Sequence, residues 1–227
     1  MDLLDLARGP ALAVSIAVFL IGTLWRLGAL LRMPRLPDRS PAREGAQSWF
    51  AGAMHAQVRA MWPRAAFGPQ ARWIAVNGYA FHVGLAIVAF GYAPHIAFVR
   101  RLTGLHWPAL PDAVFAIAAG VTTVSLLMAL AMRLNDPVRR LISRPDDWIS
   151  WTVTFLPVLT GMAVAGESSA SILARDHAIY RGPLAVHLLS LELLLLWFPF
   201  GKLMHAFLFV FSRSATGARF ARRGVEV

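Results

Sequence analysis

The sequence predicts an all-α integral membrane protein with five transmembrane helices, formed by a single domain over residues 1–227. The chain is 57% hydrophobic and only 15% charged, which is too apolar for a soluble domain of ordinary size. It also contains five apolar stretches of about 20 residues, the length that a helix needs to cross the hydrocarbon core. A transmembrane β-barrel would instead show ~10-residue segments of alternating polarity, which are absent.

Turn signals and polar loops separate the five predicted spans. An acidic start with Asp2 and Asp5 is unlike a signal peptide, so we expect the first apolar stretch to remain as a span. Pro157 and Gly161 allow a kink in the fourth span, and Pro183 suits the first turn of the fifth. The predicted spans are residues 10–31, 74–99, 112–132, 148–165 and 183–211.

The connection between the first two spans, residues 33–72, begins with a Pro- and Arg-rich stretch that cannot form a regular helix. Apolar side chains then recur three to four residues apart, which predicts an amphipathic interfacial helix. A surface anchor is the simpler interpretation, and a docking element for a partner is the alternative. The apolar residues are Trp49, Phe50, Met54, Val58, Met61 and Trp62.

The distribution of arginines predicts the orientation of the chain. Fifteen follow the first, third and fifth spans, whereas five lie on the other side. The positive-inside rule then places the N-terminus outside and the C-terminus in the cytoplasm of a bacterial inner membrane. The net charge of +10 thus reflects topology, and nucleic-acid binding is not expected. With no cysteine, this chain cannot itself hold an iron–sulfur cluster.

Four histidines lie in two of the predicted spans, where a histidine is costly and marks a binding site. Because these spans run in opposite directions, we expect His82 and His205 to pair near the cytoplasmic side. His95 and His187 are expected to pair near the outer side. The pattern predicts bis-histidine ligation of two b-type haems, with one iron ligand from each span.

Helical phase supports this prediction for the fifth span only. His187 and His205 are 18 residues apart and would share one face of a continuous helix with ~27 Å of rise. His82 and His95 would differ by roughly 140°, although Pro94 is expected to kink the helix between them. The alternatives are histidines that only pack, and a single haem on His82 and His205. Zinc is disfavoured because ligands ~20 Å apart cannot share one tetrahedral site.

Other polar residues in or near the spans are weaker candidates. Glu192 is a candidate proton acceptor for a quinol, with a structural hydrogen bond as the alternative. Cationic side chains at the predicted boundaries are candidates for contacting haem propionates, or lipid head groups; they are Lys202, Arg100 and Arg101. We expect the remaining histidines to be solvated; they are His55, His106 and His177.

Several segments between residues 74 and 225 follow a family pattern: Phe81-His82-Val83-Gly84, Leu110-Pro111-Asp112, the stretch from His187 to Glu192, the stretch from Pro199 to His205, Phe211-Ser212-Arg213 and Arg222-Arg223-Gly224. They resemble the gamma subunit of respiratory nitrate reductase and its relatives, the membrane cytochrome b subunits of sulfite-reductase-linked and other redox complexes. The five-span topology with an outer N-terminus agrees with that family.

The resemblance implies that His82 and His205 hold an inner haem, and that His187 holds an outer haem with a partner from the second span. Tyr92 occupies the nitrate-type position of that partner, and His95 follows three residues later. The chain is therefore closer to the sulfite-linked branch, or else it has lost regular outer ligation. The resemblance also implies quinol oxidation near the outer haem and electron transfer to a cytoplasmic iron–sulfur or reductase subunit.

The sequence therefore predicts a di-haem b subunit of a hetero-oligomeric respiratory complex, and not a complete enzyme. A mono-haem subunit and a cofactor-free membrane anchor or assembly protein are the alternatives. A small transporter or proton channel using His95, Glu192 and His187 is disfavoured because the sequence shows no inverted repeat. The basic tail 213–223 and the segment 33–72 are the candidate docking surfaces.

Overall fold

The structure is a computed structural model that describes residues 2–34, 41–59, 61–63, 67–165 and 181–225. All regular structure in these ranges is helical, as the sequence predicts. Three helical segments are long and apolar enough to cross a membrane, and a bent pair of helices raises the number to four. The count of five spans and the orientation stay predictions. The predicted outer loop, with Arg175 and His177, lies outside the described residues.

We number the described α-helices in chain order. They are α1 (Leu3–Arg8), α2 (Pro10–Arg32), α3 (Trp49–Arg59), α4 (Gly68–Gly91), α5 (Ala93–Thr103), α6 (Asp112–Asn135), α7 (Pro137–Ile142), α8 (Pro145–Val164), α9 (Arg181–Trp197) and α10 (His205–Arg222), with a 3₁₀ turn at Lys202–Met204 before α10. The candidate spans are Leu3–Arg32, Gly68–Gly91, Asp112–Asn135 and the bent pair α9–α10. The predicted fourth span corresponds to α8, which is not among them.

The long helices pack as a row in which α4 lies on α6, α6 on α8, α8 on α9, and α9 on α1 and α2. Small residues bring α4 and α6 close together. A Cβ atom at Gly84 would lie 2.4 Å from Thr122 Oγ1, so this contact requires glycine. The long helices with predicted haem ligands, α4 and α9, lie at different places in this row. They are connected through α6 and α8 and do not pack extensively on each other.

The predicted second span is not one helix, because α4 ends at Gly91 and α5 begins at Ala93. Tyr92 between them is extended, with φ −82° and ψ 128°. Pro94, in the first turn of α5, has no N–H to donate to the carbonyl oxygen of Phe90, which instead accepts the indole N–H of Trp107 at 2.6 Å. The carbonyl of Gly91, released by this break, accepts the backbone N–H of Leu110 at 2.8 Å.

The predicted fifth span is also broken, and the expectation of one helix over 183–211 is wrong. After Trp197 the chain turns through Pro199 and Gly201, and α10 leaves at 76° to α9. Pro199 has no backbone N–H with which to continue the hydrogen bonds of α9. A Cβ atom at Gly201 would lie 2.2 Å from Trp197 Nε1, so the turn requires glycine at this position. The argument that His187 and His205 share a face of one helix fails, because they lie on different helices.

The predicted amphipathic helix is present as α3. Its apolar stripe, which includes Trp49, Phe50 and Val58, is exposed as expected for an interfacial helix. The opposite face consists of small residues that pack on α10, a contact that the sequence pattern did not indicate; these residues are Gly52, Ala53 and Ala56.

Candidate functional site

Two histidines from distant parts of the chain form a first pair, His82 on α4 and His205 at the start of α10. Their ring centres are 6.0 Å apart and their planes are nearly perpendicular, at 89°. The Nδ1 atom of His82 lies 2.7 Å from the carbonyl oxygen of Gly78, and that of His205 lies 2.8 Å from the carbonyl oxygen of Lys202. Both rings are therefore held by the backbone of their own chain segment.

A second pair joins His95 on α5 to His187 on α9. Their ring centres are 6.1 Å apart and their planes are nearly parallel, at 16°. The Nδ1 atom of His95 lies 2.7 Å from the carbonyl oxygen of Val88, and that of His187 lies 3.1 Å from Thr160 Oγ1. The Thr160 hydroxyl donates its hydrogen to the carbonyl oxygen of Leu156, 2.8 Å away. The hydroxyl oxygen is therefore able to accept a hydrogen bond from His187 Nδ1.

A similar hydrogen-bonding pattern recurs at the four histidines: three Nδ1 atoms face a backbone carbonyl oxygen, and that of His187 faces the Thr160 hydroxyl, which can accept. A carbonyl oxygen can only accept, so the Nδ1 atoms facing one must carry the hydrogen. A neutral imidazole has a single N–H, which leaves Nε2 with a free lone pair. Histidines that bind metals use this arrangement, in which the second nitrogen donates to a carbonyl or another acceptor and fixes the ring. Each pair can thus offer two nitrogen ligands.

The two helix breaks produce this arrangement. Each pair combines one histidine from a long helix with one from the helix that follows a break. His95 comes three residues after the break at Tyr92, and His205 comes directly after the 3₁₀ turn. On a continuous α4, His95 would point roughly 140° away from His82. The breaks redirect His95 toward α9 and His205 toward α4.

Thr160 and Gly161 of α8 are site residues that the sequence analysis missed. A Cβ atom at Gly161 would lie 3.0 Å from His187 Cε1, so only glycine lets the ring lie against α8 without displacement. Gly161 was interpreted only as a kink residue. Its neighbour Thr160 lies about one turn after Pro157 in an otherwise apolar helix. A hydroxyl in such a helix is the sequence feature that indicates a polar contact at this depth.

The predicted cationic partners differ in their surroundings. The Lys202 ammonium lies 2.6 Å from Asp147 Oδ1, and its backbone N–H donates to Asp146 Oδ1 at 3.2 Å. Lys202 is therefore already paired, and we do not assign it to a haem propionate. Arg100 and Arg101 are exposed at the end of α5 and line a cavity of about 530 Å³. The histidines expected to be solvated are exposed where the structure describes them, at His55 and His106.

Three buried polar side-chain atoms have no hydrogen-bond partner within the described residues: Glu192 Oε1, the Tyr92 hydroxyl and Thr23 Oγ1. Glu192 is 4% exposed and lines a groove of about 450 Å³ between α2 and α9. The groove is otherwise apolar, with Pro10 and Leu193 among its lining residues. Tyr92 stacks on Phe115 and meets His95 edge-on, with ring centres 5.3 Å apart.

Neither histidine pair forms a metal site from protein ligands alone. Across the ranges that the structure covers, no group of three or more His, Cys, Asp or Glu residues could hold a metal ion. A tetrahedral zinc site needs three or four protein ligands, whereas each pair supplies two. A metal at either pair would need its remaining ligands from a bound group.

Fold and site together define an all-helical protein with membrane-type helices and two histidine pairs. A protein of Nitratidesulfovibrio vulgaris (strain Hildenborough), named only "Protein", is similar to this chain, with 29% identity over 224 residues. The similarity covers 95% of this chain and 93% of the relative, whose name does not describe a function. No family model and no solved structure matches the chain.

Proposed function

We propose that the protein is a di-haem b subunit of a bacterial inner-membrane respiratory complex. It transfers electrons between the quinone pool and a cytoplasmic iron–sulfur or reductase subunit. The observation that carries this proposal is the pairing of four histidines into two sites with ring centres 6.0 and 6.1 Å apart. The family resemblance and the arginine distribution support it independently.

The ring separation fits two imidazoles bound to one metal from opposite sides. Imidazole nitrogen–metal bonds of about 2.0–2.1 Å, with ring centres ~1.1 Å behind each nitrogen, place the two centres about 6.3 Å apart. Both observed separations lie within a few tenths of an ångström of this value. Rings that merely pack also lie about 4.5–7 Å apart, so the separation supports the haem proposal only together with the pairing of all four histidines.

The spacing of the helices fits a flat macrocycle between the histidines. Helices in direct contact lie about 8–10 Å apart, which would leave no room for a porphyrin. Within the described residues, α4 packs mainly on α6 and α9 mainly on α8, and neither α4 with α10 nor α5 with α9 is among the closely packed helix pairs. The four histidines therefore suit haem b in number and in the loose packing of the helices that carry them, and at three of them a carbonyl oxygen also sets the ligating tautomer.

Haem, when bound, supplies a one-electron couple whose potential depends on its axial ligands and their hydrogen bonds. The chain's own contribution is to hold His82, His95, His187 and His205 in the ligating tautomer. The carbonyls that accept from Nδ1 raise the basicity of the imidazoles of His82, His95 and His205. At His187 this acceptor is the Thr160 hydroxyl, a weaker acceptor than a carbonyl, so the two sites are expected to differ in potential.

Further redox centres must belong to a partner, because a chain with no cysteine provides no thiolate for an iron–sulfur cluster. The candidate docking surface lies where α3 and α10 pack together. It presents exposed apolar side chains, Trp49 and Phe50 among them, beside the arginines of the predicted basic tail. This mixture suits a protein partner with acidic and apolar patches.

The groove at Glu192 is our candidate for the quinol contact. Its lining is apolar, and a buried carboxyl oxygen with no partner in the described residues is costly unless a ligand donates to it. A quinol offers a hydroxyl donor on an apolar ring. Glu192 would accept that proton as electrons leave the quinol.

Haem content and redox spectra test the main proposal. The purified protein is expected to contain two haems b per chain and to show the b-type α-band in the reduced-minus-oxidised spectrum. One haem per chain would support the mono-haem alternative. No α-band after expression with ample haem would leave the cofactor-free anchor as the remaining interpretation.

A matched pair of variants tests the quinol contact. Glu192→Gln keeps the shape of the side chain but cannot accept the proton, so quinol-driven haem reduction is expected to slow in kcat while haem content stays the same. Glu44→Gln, at an exposed position, is the control. Equal rates for the two variants would exclude Glu192 from the quinol site.

A further inference from the structure

We propose that α3 and its flanking residues form a clamp that positions His82 and His205 relative to each other. We define the clamp by the residues that make its contacts, which are Arg43, Gly52, Gln57, Met61 and Trp62. The proposal deepens the proposed function, since the identity of the ligand between these histidines rests on it. The contacts involve protein atoms alone: α3 contacts α10, and the following residues Met61 and Trp62 contact α4, so the clamp touches both helices that carry the first pair.

The clamp holds α10 through close backbone contact. A Cβ atom at Gly52 would lie 2.3 Å from Ala221 Cβ, and one at Gly217 would lie 2.4 Å from the carbonyl oxygen of Gly52. No other residue type fits at either position in this packing. Small residues on two facing helices bring their backbones together in this way within membranes.

Polar contacts strengthen the hold on α10 at its middle and at its end. Gln57 Nε2 donates to the carbonyl oxygen of Val210 at 2.7 Å and to Ser214 Oγ at 3.0 Å. The backbone N–H of Arg43 donates to the carbonyl oxygen of Arg222 at 3.0 Å. Apart from the 3₁₀ turn, α3 is the element on which α10 mainly packs. The clamp therefore decides the direction in which α10 leaves the bundle.

The other end of the clamp contacts α4 close to His82. The Tyr79 hydroxyl donates to the carbonyl oxygen of Met61. The Tyr79 ring also stacks on Trp62, with centres 6.4 Å apart and planes at 16°. Tyr79 directly follows Gly78, whose carbonyl accepts from His82 Nδ1. The clamp thus reaches the turn of α4 that fixes the His82 ring.

One element consequently bridges both ligand helices of the first pair. The second pair does not depend on these contacts, because His187 is held by Thr160 of α8 and His95 by the carbonyl of Val88. Gln57 and Tyr79 are positioning residues for the first pair. Weakening the clamp should change the geometry at His82 and His205 and leave the second pair as it is.

The first experiment needs no haem. Because the chain has no cysteine, spin labels at Val83→Cys on α4 and Ala215→Cys on α10 report a single distance distribution. Gln57→Leu and Tyr79→Phe, each in this labelled protein, are expected to broaden or shift that distribution. Val58→Ala is the control, at a position on α3 that is 67% exposed. Distributions unchanged by both clamp variants would overturn the proposal.

The second experiment uses the haem-loaded protein and resolves the two sites by paramagnetic resonance. Perpendicular and parallel ligand planes give low-spin haem signals of different anisotropy, and the two pairs differ in this respect. Gln57→Leu and Tyr79→Phe are expected to change the signal and the potential of the perpendicular site alone. A general loss of stability would alter both sites. Equal changes at both sites, or none at either, would refute a positioning role.

The two proposals fail in different ways. A wild-type protein that binds no haem, yet shows altered label distances in the clamp variants, would end the haem proposal and leave the clamp intact. Normal haem binding with unchanged distances and potentials in both variants would end the clamp proposal only. Gly217→Leu is a stronger disruption, but it is used only if the variant folds, because its side chain would overlap the backbone of α3.

Discussion

Replacing Thr160 by valine is expected to weaken haem binding at the second pair and to leave the first pair unaffected. Valine has nearly the shape of threonine but lacks the oxygen that lies 3.1 Å from His187 Nδ1. In the variant, the Nδ1–H group would have lost its acceptor in a partly buried position. Within the described residues, the ring would then be oriented only by the carbonyl of Pro157 and by its contact with Gly161.

The size of the effect follows from the hydrogen bond that is lost. A buried donor without an acceptor costs about 1–3 kcal/mol. At about 1.4 kcal/mol per factor of ten, this corresponds to about 5–150-fold weaker binding. Removing outer partners of metal-bound histidines typically costs about 10–100-fold, which falls in the same range.

The assay is a titration of haem into haem-free protein, followed by absorbance, with the two sites separated by their paramagnetic signals. Thr160→Val should lose affinity only at the site with parallel ring planes. Thr154→Val is the matched control, a threonine of the same helix whose hydroxyl bonds to its own backbone at Ser150 O, 2.7 Å away. Unchanged affinity in Thr160→Val, or an equal loss in the control, would refute the assignment of Thr160 to the site.

The remaining predictions concern the pairing, the turn before α10 and the orientation. His82→Ala should remove one of two haems and His95→Ala the other, measured as haem per chain; full occupancy in His95→Ala would instead favour a single haem. Gly201→Ala should lower the melting temperature, since overpacking against Trp197 costs about 1–3 kcal/mol, whereas Gly120→Ala, with nothing within 4 Å of the added Cβ, should not. Single cysteines placed before α1 and after α10 should react with an impermeant reagent from opposite sides of the membrane, and labelling from the same side would contradict the predicted orientation.

Much of the site was accessible from the sequence because it depends on local properties. Apolar stretches of span length predict the helices, and distances from charged boundaries predict the depth of each histidine. Depth alone suggested His82 with His205 and His95 with His187, and the structure places the rings of each pair about 6 Å apart. The phase argument for the fifth span was wrong, because it assumed a helix that Pro199 interrupts.

The sequence by itself determined the all-helical class, the apolar helices and the presence of four histidines that are energetically unfavourable in an apolar segment. Periodicity and hydropathy can be read from the sequence because they depend on residues within one or two helical turns. Only the tertiary structure decided where α5 and α10 point after their breaks, which small residues let α3 reach α10, and that Thr160 and Gly161 hold His187. The physical reason is that prolines predict a break without predicting its direction. That direction depends on packing between segments more than 100 residues apart, as at Gly52 and Gly217.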